Sequence, residues 1–208
     1  FDQNAGILRV EECVKTHVRL AQNQGAQLKS GLVTGWKQQK NRIAISVGKE
    51  TLYCKKLIIT SGAWAPTLLP ALNPFLEIRR KSLFWFNEHK PEYQVQNQFP
   101  VFFIEDKGHN YYGFPAIDEK GVKVADHQGG RTLSGPTALD KSIDETELKD
   151  ICNAITKYLP GVTHSLSHHT NCMYTMSRDE HFIVGQYPDS ANVHFVAGLS
   201  GHGFKFAT

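Results

Sequence analysis

Two stretches of this sequence combine residue types that do chemistry. One is Gly198-Leu-Ser-Gly201-His202-Gly203, which follows the apolar run Val193–Ala197 and is followed by Lys205. Glycines where a strand turns into a helix let a ligand approach the backbone closely. The helix itself would aim N–H groups and a positive dipole end at that ligand. Lys205 adds a full charge, so the loop suits a flat ligand that becomes anionic, or a carboxylate. A tight turn alone would use the same glycines, and the pattern is not G-x-G-x-x-G, which occurs nowhere in the chain. The other stretch is "VKVADH", where Lys123 and His127 are four apart. A strand period of two puts both on one face, which Tyr112 on the preceding strand can share. Exposed strands also carry lysine, so a solvated face is the competing reading. Cys172 and Tyr174 share a strand face in the same way, and a buried, inert cysteine is the ordinary explanation for Cys172. His168, His169 and Cys172 could suggest a metal. Adjacent strand histidines face opposite sides, so no metal is expected.

The elements that must position these groups show two textures. Ile7–Val10 reads as a strand end. Val14, Val18 and Ala21 then recur at helical spacing, with Gly25 as a stop. "LVTGWKQQKNRIAISVGKETLYCKKLIIT" reads as successive strands. Ile43, Ile45 and Val47 alternate within it, and Leu57-Ile58-Ile59 resembles a central strand covered on both faces. Ser61–Trp64 turns into a short helix ending near Leu72-Asn73-Pro74. From Ile78 to His127, aromatic-rich segments separated by polar turns predict an antiparallel sheet. Ser142–Tyr158 is the clearest helix. It carries Leu148, Ile151, Ile155 and Tyr158 on one stripe, Ser142-x-x-Glu145 or Asp144-x-x-Glu147 as a capping box, and Pro160-Gly161 at its end. A strand through Cys172–Met176, a turn at Tyr187-Pro188-Asp189 and the strand Val193–Ala197 complete the pattern. α/β texture at both ends around an antiparallel middle implies one domain inserted into another.

The chain's 208 residues, 40% hydrophobic and 21% charged, are those of a soluble globular protein of one large or two small domains. A net charge of +3 with scattered basic residues gives no reason to expect nucleic acid. Arg79-Arg80-Lys81 reads as a solvated strand end. No apolar run is long enough for a membrane span. Four widely spaced cysteines suggest neither a disulfide framework nor zinc, so a reducing, cytoplasmic setting is expected.

Taken together, "KKLIITSGAW", "YYGFPA", "VKVADHQGG", "NCMYTMSRDEHFIVGQYPD" and "AGLSGHGFKFA" match, in order, a known family. The chain resembles the flavin-dependent amine oxidases of the monomeric sarcosine oxidase and N-methyltryptophan oxidase family, with the middle segment nearer the latter. The resemblance implies FAD and oxidative demethylation of an N-methyl amino acid, giving formaldehyde, the amino acid and hydrogen peroxide. Cys172 matches the cysteine joined by a thioether to the flavin 8α-methyl carbon. Lys123 matches the lysine that assists reaction with oxygen. His127 and Tyr112 match residues lining the substrate cavity, and Tyr174 falls beside them. Lys205 matches a lysine that pairs with the substrate carboxylate. Gly201 and His202 match the loop at the pyrimidine edge of the flavin, with Gly198 and Gly203 in the same loop.

The resemblance also implies a partial Rossmann-like FAD domain, residues 11–73 and 178–208. An antiparallel substrate domain would occupy residues 74–177, with residues 1–10 as one of its strand ends. The family's opening glycine fingerprint, a carboxylate-binding arginine and the helix after "FKFA" have no counterpart. The sequence is therefore expected to be an internal fragment that alone binds FAD poorly and is inactive. Its partners would be an amino acid with a secondary amine and molecular oxygen, with no nucleic acid or membrane and a monomeric state. Two rivals are a glycine or D-amino acid oxidase holding FAD without a covalent bond, and a folded remnant that does not bind FAD.

Overall fold

The computed structural model describes residues 2–188 and 190–207. In chain order the elements are α1 (Val10–Asn23), β1 (Val33–Gln38), β2 (Ile43–Val47), β3 (Glu50–Cys54), β4 (Leu57–Ile59), α2 (Ala65–Leu68) and β5 (Leu76–Phe86). They continue with β6 (Phe102–Asp106), β7 (His109–Phe114), β8 (Val122–Asp126), β9 (Thr132–Leu133), α3 (Glu145–Tyr158), β10 (Leu166–Ser177), β11 (Ile183–Gln186) and β12 (Val193–Ala197). This is a mixed α/β fold. It divides into two compact units, each assembled from separated segments: Phe1–Ile7 with Ile78–Tyr174, and Leu8–Glu77 with Thr175–Thr208. No helix among the described residues is long and apolar enough to cross a membrane.

The first unit is built on a sheet of order β10-β5-β8-β7-β6, with β9 added to β5. Lys107 and Gly108 both take positive φ, 49° and 84°, so the β6–β7 hairpin closes through a left-handed two-residue turn. Alternate residues of the strands face α3. Phe84, Phe86, Tyr111, Val122 and Val124 pack there with Ile151, Ala154 and Ile155 in one buried cluster. The N-cap of α3 is Asp144, whose carboxylate accepts from the N–H groups of Thr146 and Glu147. Only half of a capping box forms, because the Glu147 side chain turns to Arg80 and Ser82 instead.

The second unit holds the meander β1-β2-β3 and a small sheet β11-β12-β4 in which β12 and β4 run parallel. Its core is Ile43, Ile59, Ala65, Leu68, Leu69, Val193, Phe195 and Ala197, and the Trp36 indole N–H donates to Leu68 O at 2.8 Å. Gly25 stops α1 at φ +91° while Ala26 N–H closes back on Ala21 O.

Several expectations are corrected. Ile7–Arg9 form no strand, and helix begins at Val10. The apolar stripe of α1 contains no buried residue among those described. β4 is an edge strand rather than a central one. It pairs with β12 alone among the described elements, and Ile58 is 70% exposed because it alternates away from the core. Arg79-Arg80-Lys81 is not a solvated strand end: Arg80 and Lys81 are 2% and 3% exposed. They lie in an 11-residue strand between two neighbours, and side chains distant in sequence cover them. The helix expected after the glycine loop is a single 3₁₀ turn, Phe204–Phe206, among the described residues. Asp189, part of the expected turn at 187–189, lies outside the described residues.

Candidate active site

The sheet of the first unit has a second face, turned away from α3. β8 presents Lys123 there, and the register explains its surroundings: Lys123 is opposite Trp85 on β5 and Phe114 on β7. The ammonium lies 4.9 Å from the Phe114 ring centroid, 5.1 Å from Trp85 and 5.9 Å from Tyr112. Such rings attract a cation through their quadrupoles and shed water from it. His127, one residue beyond β8, keeps the parity and packs on Tyr174 at 5.4 Å and on Tyr112 at 6.4 Å between ring centroids. The Tyr112 and Tyr174 hydroxyls are hydrogen bonded to each other. Burial raises the pKa of both phenols, so both stay neutral at ordinary pH.

Cys172 shares this face through β10. Burial raises its thiol pKa, and the charges of Lys123 and Lys81 pull the other way. Lys81 was not among the residues that sequence reasoning selected. Its ammonium donates to three carbonyl oxygens, His127 O at 2.8 Å and Gln128 O and Gly129 O at 2.7 Å each. It also lies 5.3 Å from the Tyr174 ring. Burial lowers its pKa to about 8, with Asp126 opposing that shift, so the group remains charged at neutral pH. Trp85 and Phe114 were missed as well. Strand parity was the available signal, since residues 81 and 85 alternate with the apolar positions 84 and 86.

Thus five of the selected residues come together on one face: Lys123, His127, Tyr112, Tyr174 and Cys172. The other five belong to the second unit. There the chain leaves β12 through Gly198 at φ +62°, Ser200 at φ +48° and Gly201 at φ +82°. Ser200 is buried; it accepts from Ser177 N–H at 3.2 Å, and its own N–H donates to Thr175 O at 3.0 Å. Two of the glycines answer to the loop's own packing. A Cβ at Gly198 would come within 3.1 Å of Leu76 and Ser177, and one at Gly203 within 2.6 Å of Leu199. His202 stacks obliquely on Phe182 at 5.0 Å, and the exposed Lys205 lies 5.4 Å from the Phe206 ring.

A face carrying two ammonium groups, two neutral phenols, an imidazole and a thiol, among aromatic rings, fits an extended aromatic redox cofactor. Among the described residues no cluster of His, Cys, Asp or Glu could hold a metal ion. Comparison with known proteins assigns the class. The FAD dependent oxidoreductase (DAO) family matches residues 1–208, and the chain belongs to that family. Within it, the chain is 32% identical to monomeric sarcosine oxidase of Streptomyces avermitilis, over 99% of this chain and 55% of that protein. It is 34% identical to N-methyl-L-tryptophan oxidase of Escherichia coli, over 100% of this chain and 55% of that protein. The chain thus spans about half the length of these curated relatives. The crystal structure of fructosamine oxidase (Amadoriase II) from Aspergillus fumigatus shares the fold, with a TM-score of 0.75 at 17% identity over 94% of this chain and 50% of that one.

Proposed function

We propose that this protein belongs to an FAD-dependent oxidase that demethylates an N-methyl amino acid such as sarcosine or N-methyltryptophan. The names of its relatives support the substrate class. The observation that carries the reading is the convergence of Lys123, His127, Tyr112, Tyr174 and Cys172 on one sheet face. FAD, when bound, supplies the two-electron acceptor for the amine and the route from there to molecular oxygen.

Cys172 would hold the cofactor through a thioether. Burial raises its thiol pKa, and the two ammonium charges acting on it offset part of that rise. Lys123 offers a fixed positive charge to reduced, anionic oxygen and needs no reorganisation to do so. Tyr112 and Tyr174 remain neutral hydrogen-bonding groups, and with His127 they line the place of the amine. Lys205 would pair with the substrate carboxylate and orient the N-methyl group. Gly198, Gly201, His202 and Gly203 would present backbone to the flavin. Water then hydrolyses the imine product to formaldehyde and the demethylated amino acid. A monomer in the cytoplasm is the setting proposed.

The test supplies N-methyl amino acids to the purified flavoprotein. Hydrogen peroxide and formaldehyde should form in equal amounts, and flavin should remain with the Cys172 peptide after acid precipitation. Oxidation of glycine or a D-amino acid without formaldehyde, with flavin released by acid, would replace this reading with that of a non-covalent relative.

A further inference from the structure

We propose that Lys81 is a positioning residue, whose ammonium gathers the carbonyls of the turn after β8 and so sets where His127 stands. The inference deepens the functional reading, since it takes the Lys123 face as the substrate face.

The turn from His127 to Gly130 has its donors and acceptors answered from different sides. His127 N–H donates to Asn110 O at 2.8 Å, and Gln128 N–H donates to the Asp126 carboxylate at 2.9 Å. The carbonyls of His127, Gln128 and Gly129 instead converge on one point, the Lys81 ammonium. Left-handed backbone makes that convergence possible, with φ +66° at Gly129 and +91° at Gly130. A Cβ at Gly130 would meet Arg80 O at 2.4 Å, so the turn is seated directly on β5. Three convergent acceptors need three diverging donors from one atom. An ammonium supplies them, a carboxamide supplies two, and a guanidinium supplies its donors in a plane.

The same ammonium reaches His127 by a second route. It lies 5.3 Å from the ring of Tyr174, and that ring lies 5.4 Å from the His127 imidazole. Backbone and ring of His127 are thus both referred to Lys81. A residue that merely filled space would need no charge and no three-way donor at a site 3% exposed.

The test compares wild type with Lys81→Met and Lys81→Gln. Amide hydrogen exchange across residues 128–131 should quicken at least about tenfold in Lys81→Met while α3 keeps its protection, a local opening rather than global loss. The His127 imidazole resonances should shift in Lys81→Met, and Lys81→Gln, with two donors, should fall between the two. An independent measurement needs no variant: ¹⁵N-lysine-labelled wild type should show one slowly exchanging ammonium signal assignable to Lys81. A folded Lys81→Met with wild-type turn protection and unmoved His127 resonances would overturn the proposal, as would the absence of that ammonium signal. None of these readouts uses flavin or turnover, so this proposal and the functional reading can fail separately.

Discussion

Arg80 and Lys81 are consecutive residues of β5, both cationic and both almost fully buried, yet they face opposite sides of the sheet. Arg80 turns to α3, where Glu147 accepts at 3.0 Å, Ser142 O at 2.8 Å, and Asp140 stands 3.6 Å away. Glu147 also accepts from Ser82 at 2.5 Å, and Asp140 pairs with Arg131. Lys81 turns to the other face and is held by three neutral carbonyls, with no carboxylate in its hydrogen-bond set among the described residues. On one face charge is cancelled; on the other it is solvated by dipoles and kept. A cancelled charge fastens a helix to a sheet and leaves little field. A retained charge acts with Lys123 on Cys172, and that face keeps a positive potential.

The largest expected effect tests the cancelled side. Arg80→Met leaves Glu147 and Asp140 without their buried partner and should cost about 3 kcal/mol, the lower end for breaking a buried pair, because both carboxylates keep some water. Urea unfolding measures it. A loss under about 1 kcal/mol would mean that the pairing does not fasten α3. On the other face, Lys123→Met should slow reoxidation of reduced flavin about a hundredfold, the scale for one electrostatic donor, and spare flavin reduction. Stopped-flow traces with both half-reactions slowed alike would end the distinction between a fastening charge and a working one.

A third effect follows from Lys81's pKa, lowered by burial from 10.5 to about 8. Between those values the unfolded chain binds a proton that the folded protein does not. This group's contribution therefore makes stability rise with pH across that window. The difference between wild type and Lys81→Met should show that slope in urea titrations run at successive pH values. A flat difference would mean that the three carbonyls offset the burial of the charge completely.

The comparison also shows what could be read from the chain. Strand parity alone put Lys123 and His127 on one face, because both depend on one strand and its next residue, and the apolar run Val193–Ala197 located β12 to the residue. Parity failed at Arg79-Arg80-Lys81. Three basic residues in a row look solvated until α3, about 65 positions later, brings Glu147, and the turn after β8 brings its carbonyls. It failed likewise at Leu57–Ile59, where an apolar run proved to be an edge. Local pattern reports which residues share a face, whereas cover is decided by partners far along the sequence. The roles proposed for Cys172 and Lys205 were not legible from spacing at all and rest on the resemblance of their motifs to the family.

The smallest effect is the most local. Asp144 caps α3 by accepting from Thr146 N–H at 3.0 Å and Glu147 N–H at 3.2 Å. Its backbone carbonyl takes the Leu148 N–H. Asp144→Ala removes the side-chain bonds and a favourable charge at the helix start, at a cost of about 1 kcal/mol. Because Glu147 lies in that first turn, loosening it should also weaken the hold on Arg80. In a double-mutant cycle, Asp144→Ala and Arg80→Met should therefore cost less together than the sum of their separate losses. Strict additivity would make the cap and the ion pair independent. In that case α3 would owe its place to the apolar contacts of Ile151, Ala154 and Ile155, and the cancelled charge would be a passenger on them.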